Sequence, residues 1–233
     1  MRAAVVVVAA AVAMTLVARE ATGGADVEAA SRSEARVGDR VASPGRVPLV
    51  RQAFRNNCET ASLSMLLASA GVRVDQRALQ RQVAKSSPLD PIVTEDGSWI
   101  WGDPSGGFVG RAAGGGTAGG FGVYQTPIRQ LAQRHGVRLA DLSRKNVSVV
   151  VARLRAGRPV MAWIGLSQGP YRRWLTPAGK AVVANFGEHV VVLTRIRGST
   201  ISVNDPLSGR RLSWSVSEFA RKWRLLGRRA LGL

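Results

Sequence analysis

The sequence predicts an α+β fold, with helices in its first part and an antiparallel sheet in its second. Up to about residue 156, apolar residues recur at helical spacing in segments that begin at cap residues and end at glycine. After Gly157 the pattern changes to short apolar runs separated by Gly198-Ser199 and Ser208-Gly209, which are typical hairpin turns. With 45% hydrophobic residues the chain can form a core, which excludes full-length disorder.

The first part of the body predicts a strand and then a helix. A strand over residues 47–52 leads into a turn, and Asn56 or Asn57 can cap a helix over residues 58–70. Gly71 follows at the position where a residue with positive φ ends many helices. The turn between the two elements therefore delivers the chain to a helix N-terminus.

The remaining elements follow from the same cap and turn signals. A helix after Asp75 would bury Leu79 and Val83, and Ser215 with Glu218 forms a capping box at the start of the last helix. This last helix covers residues 216–226, and two further predicted helices cover residues 126–135 and 147–156. The predicted strands cover residues 159–164, 188–196, 200–204 and 210–214.

A long segment over residues 86–122 has no clear period and contains three prolines and a glycine-rich stretch. Loops of this length inside a domain are often functional, so we expect it to border a substrate groove, although a floppy insertion is the alternative. Trp99, Trp101 and Trp174 would either line that groove or pack in the core.

The N-terminal segment has the features of an export signal. A basic Arg2 precedes an uncharged run over residues 3–18, and small residues follow before Ala25. We expect residues 1–25 to be a signal peptide or a short uncleaved membrane anchor, residues 26–46 a flexible linker, and residues 47–233 one domain. The protein is then predicted to be secreted or associated with the cell envelope.

The net charge is +18, and 29 of the 33 basic residues are arginine, spread along the whole body. Such a charge is compatible with binding to anionic envelope polymers, or with solvated arginines that have no partner. The basic tail Arg221-Lys222-Trp223-Arg224, followed by Arg228-Arg229, is the best feature for the first possibility. No motif with interleaved aromatic residues indicates specific binding of nucleic acid.

The chain has a single cysteine and two histidines, which limits the chemistry that it can perform. One cysteine excludes a disulfide framework and a zinc site built from cysteines. Cys58 lies in the first turn of a predicted helix, where the helix dipole favours a thiolate. The alternative is an inert buried thiol.

Three further residues could complete a site around this thiol. His189 lies in an apolar strand, and a hairpin over residues 196–200 would bring Asp205 beside it, so that the carboxylate orients the imidazole toward the thiol. Gln52 lies where the chain turns into the helix of Cys58, and its amide could help to stabilise an oxyanion. A core histidine, a structural Asp-Pro turn and a surface glutamine are the alternatives.

His135 has no such role in the prediction. It ends a helix beside Gly136, where a cation is favourable, and it has no acidic neighbour at a useful spacing.

The order Gln, Cys at a helix start, His on a strand and then Asp resembles that of papain-like cysteine peptidases. Local blocks are similar to bacterial peptidases of the bacteriocin-leader type, in their stand-alone branch, and cover residues 47–231. The blocks are VPLVRQ (47–52), NCETASLSM (57–65), GFVG (107–110), FGVY (121–124), GRPV (157–160), WLT (174–176), EHVVV (188–192) and VNDPL (203–207).

The resemblance implies a papain-like fold, with the nucleophile at a helix N-terminus packed on an antiparallel sheet. It implies Cys58 as nucleophile, His189 as base, Asp205 as orienting residue and Gln52 as oxyanion donor, with no metal or organic cofactor. The transporter-linked members often have glycine where this chain has Glu59, an acid that would raise the thiol pKa. The chain shows no transporter or ATPase segment, so a double-glycine leader substrate does not follow.

Together these observations predict an exported cysteine peptidase that hydrolyses peptide or amide bonds of a substrate in the cell envelope. One alternative is acyl transfer or hydrolysis on cell-wall peptides at the same site. The other is a catalytically silent module that holds anionic envelope polymers. Contact with the membrane is expected only through the N-terminal segment.

Overall fold

The computed structural model describes residues 46–114 and 119–233. The predicted signal or anchor (1–25) and nearly all of the predicted linker (26–46) lie outside the described residues, as does part of the glycine-rich segment. Within the described ranges, we find no helix that is both long and apolar enough to cross a membrane. The predicted domain over residues 47–233 contains all the helices and strands reported below.

The described residues include five helices, and each lies within a few residues of a helix that the sequence pattern predicts. Their bounds are α1 Cys58–Ser69, α2 Gln76–Gln82, α3 Gln125–Arg134, α4 Val147–Arg155 and α5 Val216–Arg224. The predicted cap at Ser215 is confirmed, since its side chain accepts from the N–H of Glu218, and Asp75 caps α2 by accepting from the N–H groups of Arg77 and Ala78.

The strands of the described residues fall into one large and two small sheets. In chain order they are β1 Lys85–Ser86, β2 Ile92–Val93, β3 Trp99–Ile100, β4 Phe108–Gly110, β5 Gly120–Gly122, β6 Ala140–Asp141, β7 Val160–Gly165, β8 Tyr171–Leu175, β9 Ala181–Asn185, β10 Glu188–Arg197, β11 Thr200–Asp205, β12 Arg210–Ser215 and β13 Ala230–Gly232. The six-stranded sheet has the order β12-β11-β10-β7-β13-β6, and all its pairs are antiparallel.

Helices cover both faces of this sheet. Leu63, Leu66 and Leu67 of α1 are fully buried and belong to one apolar cluster, which also contains Trp163 and Val190 of the sheet. Residues of α4 and α5 pack with the opposite face in a second cluster. Complete burial of a leucine side chain contributes about 1.5–3 kcal/mol, so α1 is held firmly against β10. The α+β class with an antiparallel sheet is confirmed.

The segment over residues 47–52 is not a strand, and this prediction was wrong. Its backbone is held by side chains and isolated contacts instead of a ladder: Asn204 Nδ2 donates to the Pro48 carbonyl (2.8 Å), Gln76 Nε2 donates to the Arg51 carbonyl (2.7 Å), and Gln52 N–H donates to the Pro206 carbonyl (2.8 Å). Amide side chains can thus satisfy an extended backbone where no neighbouring strand is available.

The long segment over residues 86–122 contains short strands that its sequence did not predict. β3 pairs in parallel with β8, through Ile100 and Leu175, and β8 pairs with β9 to extend a four-stranded sheet. Trp101 and Trp174 are buried against each other with ring centroids 5.5 Å apart. The core alternative is therefore correct for these two tryptophans, because an aromatic cluster fixes the segment.

Candidate active site

Cys58 is the first residue of α1, and the loop before it is tightly bonded. Asn57 occupies the N-cap position, but its side chain does not cap the helix. Its Oδ1 accepts from Phe54 N–H (2.8 Å) and its Nδ2 donates to Gln76 Oε1 (2.9 Å), which also accepts from Ala53 N–H (2.9 Å). Gln76 of α2 therefore fixes the approach to Cys58, a role that the sequence analysis missed.

His189 and Asp205 meet as the predicted hairpin requires. β10 and β11 are antiparallel neighbours that turn at Arg197 and Thr200, which face each other. The His189 Nε2 lies 2.6 Å from Asp205 Oδ1, and the histidine is only 3% exposed. The bond to Asp205 leaves Nδ1 as the ring nitrogen available to another group.

Asp205 is held by its own turn as well as by the histidine. Its Oδ1 accepts from Leu207 N–H (2.9 Å), and its Oδ2 accepts from the Ser208 hydroxyl (2.6 Å) and backbone N–H (3.3 Å). Burial opposes ionisation, but the hydrogen bonds from His189 and Ser208 outweigh it and hold the Asp205 pKa below its usual range. Ser208 was predicted only as a turn residue, and its contact with the carboxylate was missed.

Cys58, His189 and Gln52 line one cavity of about 330 Å³. Asp205 stands behind the histidine and does not line it. The cavity has an apolar part formed by side chains from four different segments of the chain, namely Phe121, Leu166, Phe186 and Leu207. It also has an acidic part formed by Glu59 and Glu188. A thiol, an imidazole and an apolar wall in one cavity are suited to acyl transfer on a peptide.

Gln52 reaches the cavity, but its amide is already engaged. Its Nε2 donates to the carbonyls of Phe54 (2.9 Å) and Arg55 (2.8 Å), while its Oε1 is buried without a hydrogen-bond partner among the described residues. An oxyanion donor must offer a free N–H to the substrate oxygen. The role of Gln52 thus stays a prediction, and it requires one of these two bonds to be exchanged.

Two carboxyl groups adjoin the thiol, those of the buried Glu59 and the half-buried Glu188, and neither was predicted as a catalytic residue. Glu59 Oε2 lies 3.5 Å from Cys58 Sγ, and Glu59 Oε1 accepts from Val123 N–H (2.7 Å). Glu188 Oε1 is buried, and no partner for it is found in the described ranges. One ligand atom from each of Cys58, Glu59 and Glu188 lies within 4.8 Å of the others. Acidic groups are often this close without a metal, and we assign none to them.

The pKa of the Cys58 thiol is not lowered, although its position at a helix N-terminus led us to expect a thiolate. Burial, and then the negative charges of Glu59 and Glu188, raise the pKa of Cys58 well above its ordinary value. Burial raises the pKa of Glu59 to about 7, against the hydrogen bond from Val123. Burial and the charge of Glu59 likewise raise the pKa of Glu188. In the resting site the neutral thiol is therefore favoured over the thiolate, despite the position at a helix N-terminus.

Comparisons with known proteins bear on the family resemblance and on the fold. The sequence profile described as the Peptidase_C39 like family matches residues 45–231. The uncharacterized protein YvpB of Bacillus subtilis (strain 168) is 33% identical over 180 residues, which make up 76% of this chain and 68% of YvpB. The crystal structure of a candidate C39-like peptidase from Bacillus anthracis matches with a TM-score of 0.67 and 28% identity, over 80% of this chain and 93% of that one.

A more distant likeness adds no further argument. The double glycine motif protease of an AMS/PCAT transporter, solved in complex with the leader peptide, has a TM-score of 0.47 and 16% identity over 83% of this chain and 94% of that one. The closer matches confirm the resemblance that the sequence blocks indicated, together with the papain-like fold.

Proposed function

Because this chain belongs to the Peptidase_C39-like family, and so is a cysteine-peptidase-like module, we propose that it hydrolyses peptide bonds with Cys58 as its nucleophile. His189 would act as the base and Asp205 as the residue that orients it. One observation carries this proposal: the His189 Nε2 lies 2.6 Å from Asp205 Oδ1, and the histidine lines the same cavity as the only cysteine of the chain.

The chemistry assigns one proton to His189 at each step. As Cys58 Sγ bonds to the substrate carbonyl carbon, its proton passes to Nδ1 of His189, and the carbonyl oxygen becomes an oxyanion. The carbon–nitrogen bond then breaks, and the same proton leaves with the amine. In the second half His189 takes a proton from water, the hydroxide attacks the thioester, and the thiol forms again as the acid departs.

The oxyanion would be stabilised from the N-terminal end of α1. The first N–H groups of a helix have no intrahelical partner, and Cys58 is the first residue of α1. Its backbone N–H is therefore suited to bind the developing charge. Gln52 would join it by exchanging one of its carbonyl partners for the oxyanion.

The cavity supports a peptide substrate with an apolar side chain beside the cleaved bond. Phe121 and Phe186 provide an aromatic wall, with ring centroids 5.5 Å apart. We further propose that the protein acts outside the cytoplasm, in the cell envelope, because residues 1–25 have the features of a signal or anchor. Its charge of +18 would help to retain it on anionic polymers there.

The test is cleavage of a mixed library of linear peptides by the full-length chain, with products identified by mass spectrometry. Cys58→Ala should abolish cleavage, and His189→Ala should lower the rate by about 100-fold or more. His135→Ala is the matched control, because His135 is bonded to Gln82 and does not line the cavity. Cleavage that survives Cys58→Ala would contradict the proposal.

A raised pKa of the Cys58 thiol also suits a catalytically silent module, and the charge of +18 would let such a module bind anionic polymers. In that case the chain would cleave neither linear peptides nor cell-wall peptides, and its retention on an anionic polymer would weaken with salt and survive Cys58→Ala. If the chain cleaves cell-wall peptides but no linear peptides, the same Cys58 site is active and its substrate is the cell-wall peptide.

A further inference from the structure

A pair of buried carboxyl groups beside the reactive thiol has no part in the mechanism above. Glu59 comes from α1 and Glu188 from β10, and a carboxylate oxygen of each lies within 4.8 Å of the other and of Cys58 Sγ. At such a separation two negative charges in a buried site repel each other strongly. A proton retained by the pair relieves this repulsion.

The surroundings supply little positive charge to replace such a proton. The ion pairs among the described residues include neither Glu59 nor Glu188. Lys85 of β1 acts on Glu59 only through space, since its Nζ donates to the Gln80 carbonyl (2.6 Å). Arg229, before β13, acts on Glu188 in the same way, and its guanidinium lies 3.8 Å from the ring centroid of Tyr124.

The other groups that face the pair do not neutralise it either. His189 follows Glu188 in β10, but its Nε2 is bonded to Asp205 of β11. Val123 N–H after β5 donates to Glu59 Oε1, while Glu188 Oε1 remains without a partner. An unpaired buried oxygen is costly as part of a charged carboxylate and much less so as part of a neutral acid.

We propose that Glu59 and Glu188 share one proton near neutral pH, and that the charge of this pair controls the ionisation of Cys58. When the pair takes up a second proton, the thiol no longer has a carboxylate beside it, and the thiolate forms more easily. When the pair loses its proton, two negative charges oppose the thiolate. Glu59 and Glu188 are thus positioning residues that act through Cys58, and their catalytic meaning rests on the proposed function.

Gly122 leaves space for the carboxyl group of Glu59 beside that of Glu188. Its φ of +116° is a conformation that residues with a Cβ rarely adopt, and a Cβ on it would clash with Glu59 Oε1 and lie 3.6 Å from Glu188 Oε2. The backbone therefore approaches the Glu59 carboxyl group more closely than a residue with a Cβ would allow, and it is in ordinary contact distance of Glu188. Val123, the next residue, uses this approach for its bond to Glu59.

The test measures the thiol directly and needs no substrate. Since Cys58 is the only cysteine, the pH dependence of the rate at which iodoacetamide alkylates the full-length chain, from about pH 5 to about pH 10, reports the ionisation of this one thiol. Glu59→Gln and Glu188→Gln should each raise the alkylation rate at mildly alkaline pH by about tenfold, because each removes one nearby negative charge. Glu95→Gln, in an exposed turn, is the matched control and should leave the rate unchanged.

Equal pH profiles for the wild type and both variants would overturn the proposal, whether or not the chain proves to be a peptidase. Conversely, a shifted profile would support it even if no peptide is cleaved. Should both variants fail to fold, the infrared spectrum of the wild type provides a second test, because the C=O stretch of a carboxylic acid shows directly whether a carboxyl group is protonated. Its presence at neutral pH and loss at high pH are expected, and its absence at neutral pH would overturn the proposal.

Discussion

The two sides of the cavity differ in how fully their polar groups are satisfied. On one side, Asp205 accepts hydrogen bonds from His189, from Leu207 and twice from Ser208, and these bonds keep its pKa low. On the other side, the oxygens Gln52 Oε1 and Glu188 Oε1 are buried without partners among the described residues. Burial there raises the pKa values of Cys58, Glu59 and Glu188, and neighbouring negative charge adds to the effect for Cys58 and Glu188.

This difference separates the part of the site that is preorganised from the part that responds to its surroundings. A fully bonded carboxylate fixes the ring of His189 without any movement when a substrate arrives. The thiol side has unmet hydrogen-bonding capacity, and its charge state depends on pH. Each of the following substitutions changes either the bonded side around Asp205 or the thiol side around Cys58, and the measurement shows how far the site depends on that side.

The largest effect is expected from Asp205→Ala on the bonded side. It leaves His189 without its acceptor, so kcat/KM for peptide cleavage should fall by about 1,000-fold. Asp205→Asn should recover much of this loss, because an amide oxygen can still accept from His189 Nε2. The measurement is kcat/KM for both variants, with Asp96→Ala, a bonded carboxylate in an exposed turn, as control. Equal rates for the alanine and asparagine variants would contradict the orienting role.

Gly122→Ala should give the next largest effect, on the thiol side. The new Cβ meets Glu59 Oε1 and the backbone φ becomes strained, so the free energy of unfolding should fall by about 3 kcal/mol or more. Gly71→Ala separates these causes, because Gly71 also has a positive φ (+84°) but a Cβ there meets nothing within 4 Å. Its cost in urea unfolding should be about 1 kcal/mol. Equal losses of unfolding free energy for both variants would show that the Glu59 side chain moves aside at no cost and that only the backbone strain matters.

The buried carboxyl pair should also make folding stability depend on pH. Glu59 holds its proton up to about pH 7 in the folded chain but loses it near its ordinary value when unfolded. Between these values the folded state binds more protons, so the contribution of Glu59 to stability falls as pH rises, by about 3 kcal/mol in total, and levels off above. Urea unfolding over this range should show the decline in the wild type and a flatter profile in Glu59→Gln. An unchanged slope would mean that Glu59 ionises normally.

The bonded side was predictable from the sequence, and the thiol side was only partly so. A hairpin ties His189 to Asp205 through a turn that local residues specify, Gly198-Ser199, so their meeting required no knowledge of distant packing. The thiol at a helix start also followed from local signals. Glu59 was recognised as an acid that would raise the thiol pKa, as the structure confirms.

The rest depends on contacts between segments that are far apart in the chain. Glu188 meets Glu59 only because α1 packs across β10, and the parallel pairing of β3 with β8 joins two segments that carry no shared pattern. The extended run over residues 47–52 resembled a strand in its composition, yet Asn204 and Gln76 provide its hydrogen bonds. Such side-chain bonds to a backbone leave no period in the sequence.

Gln52→Ala, on the thiol side, should produce the smallest change, because the amide nitrogen of Gln52 is already bonded to two carbonyls. It removes two bonds to the carbonyls of Phe54 and Arg55, which should lower stability by about 1 kcal/mol. A free oxyanion donor is worth about 100- to 1,000-fold in kcat, but here each gain requires a lost carbonyl bond, so about tenfold is expected.

The matched control is Gln125→Ala, since Gln125 Oε1 is also buried without a partner in the described part of the chain, yet this residue does not line the cavity. Separate values of kcat and KM should show the Gln52 loss in kcat, with Gln125→Ala unchanged. A loss of kcat near 1,000-fold would mean that Gln52 Nε2 exchanges its bonds to the Phe54 and Arg55 carbonyls at almost no cost in free energy. Gln52 would then act as a preorganised oxyanion donor. A loss confined to KM would assign it to substrate binding and leave the Cys58 N–H as the oxyanion donor at α1.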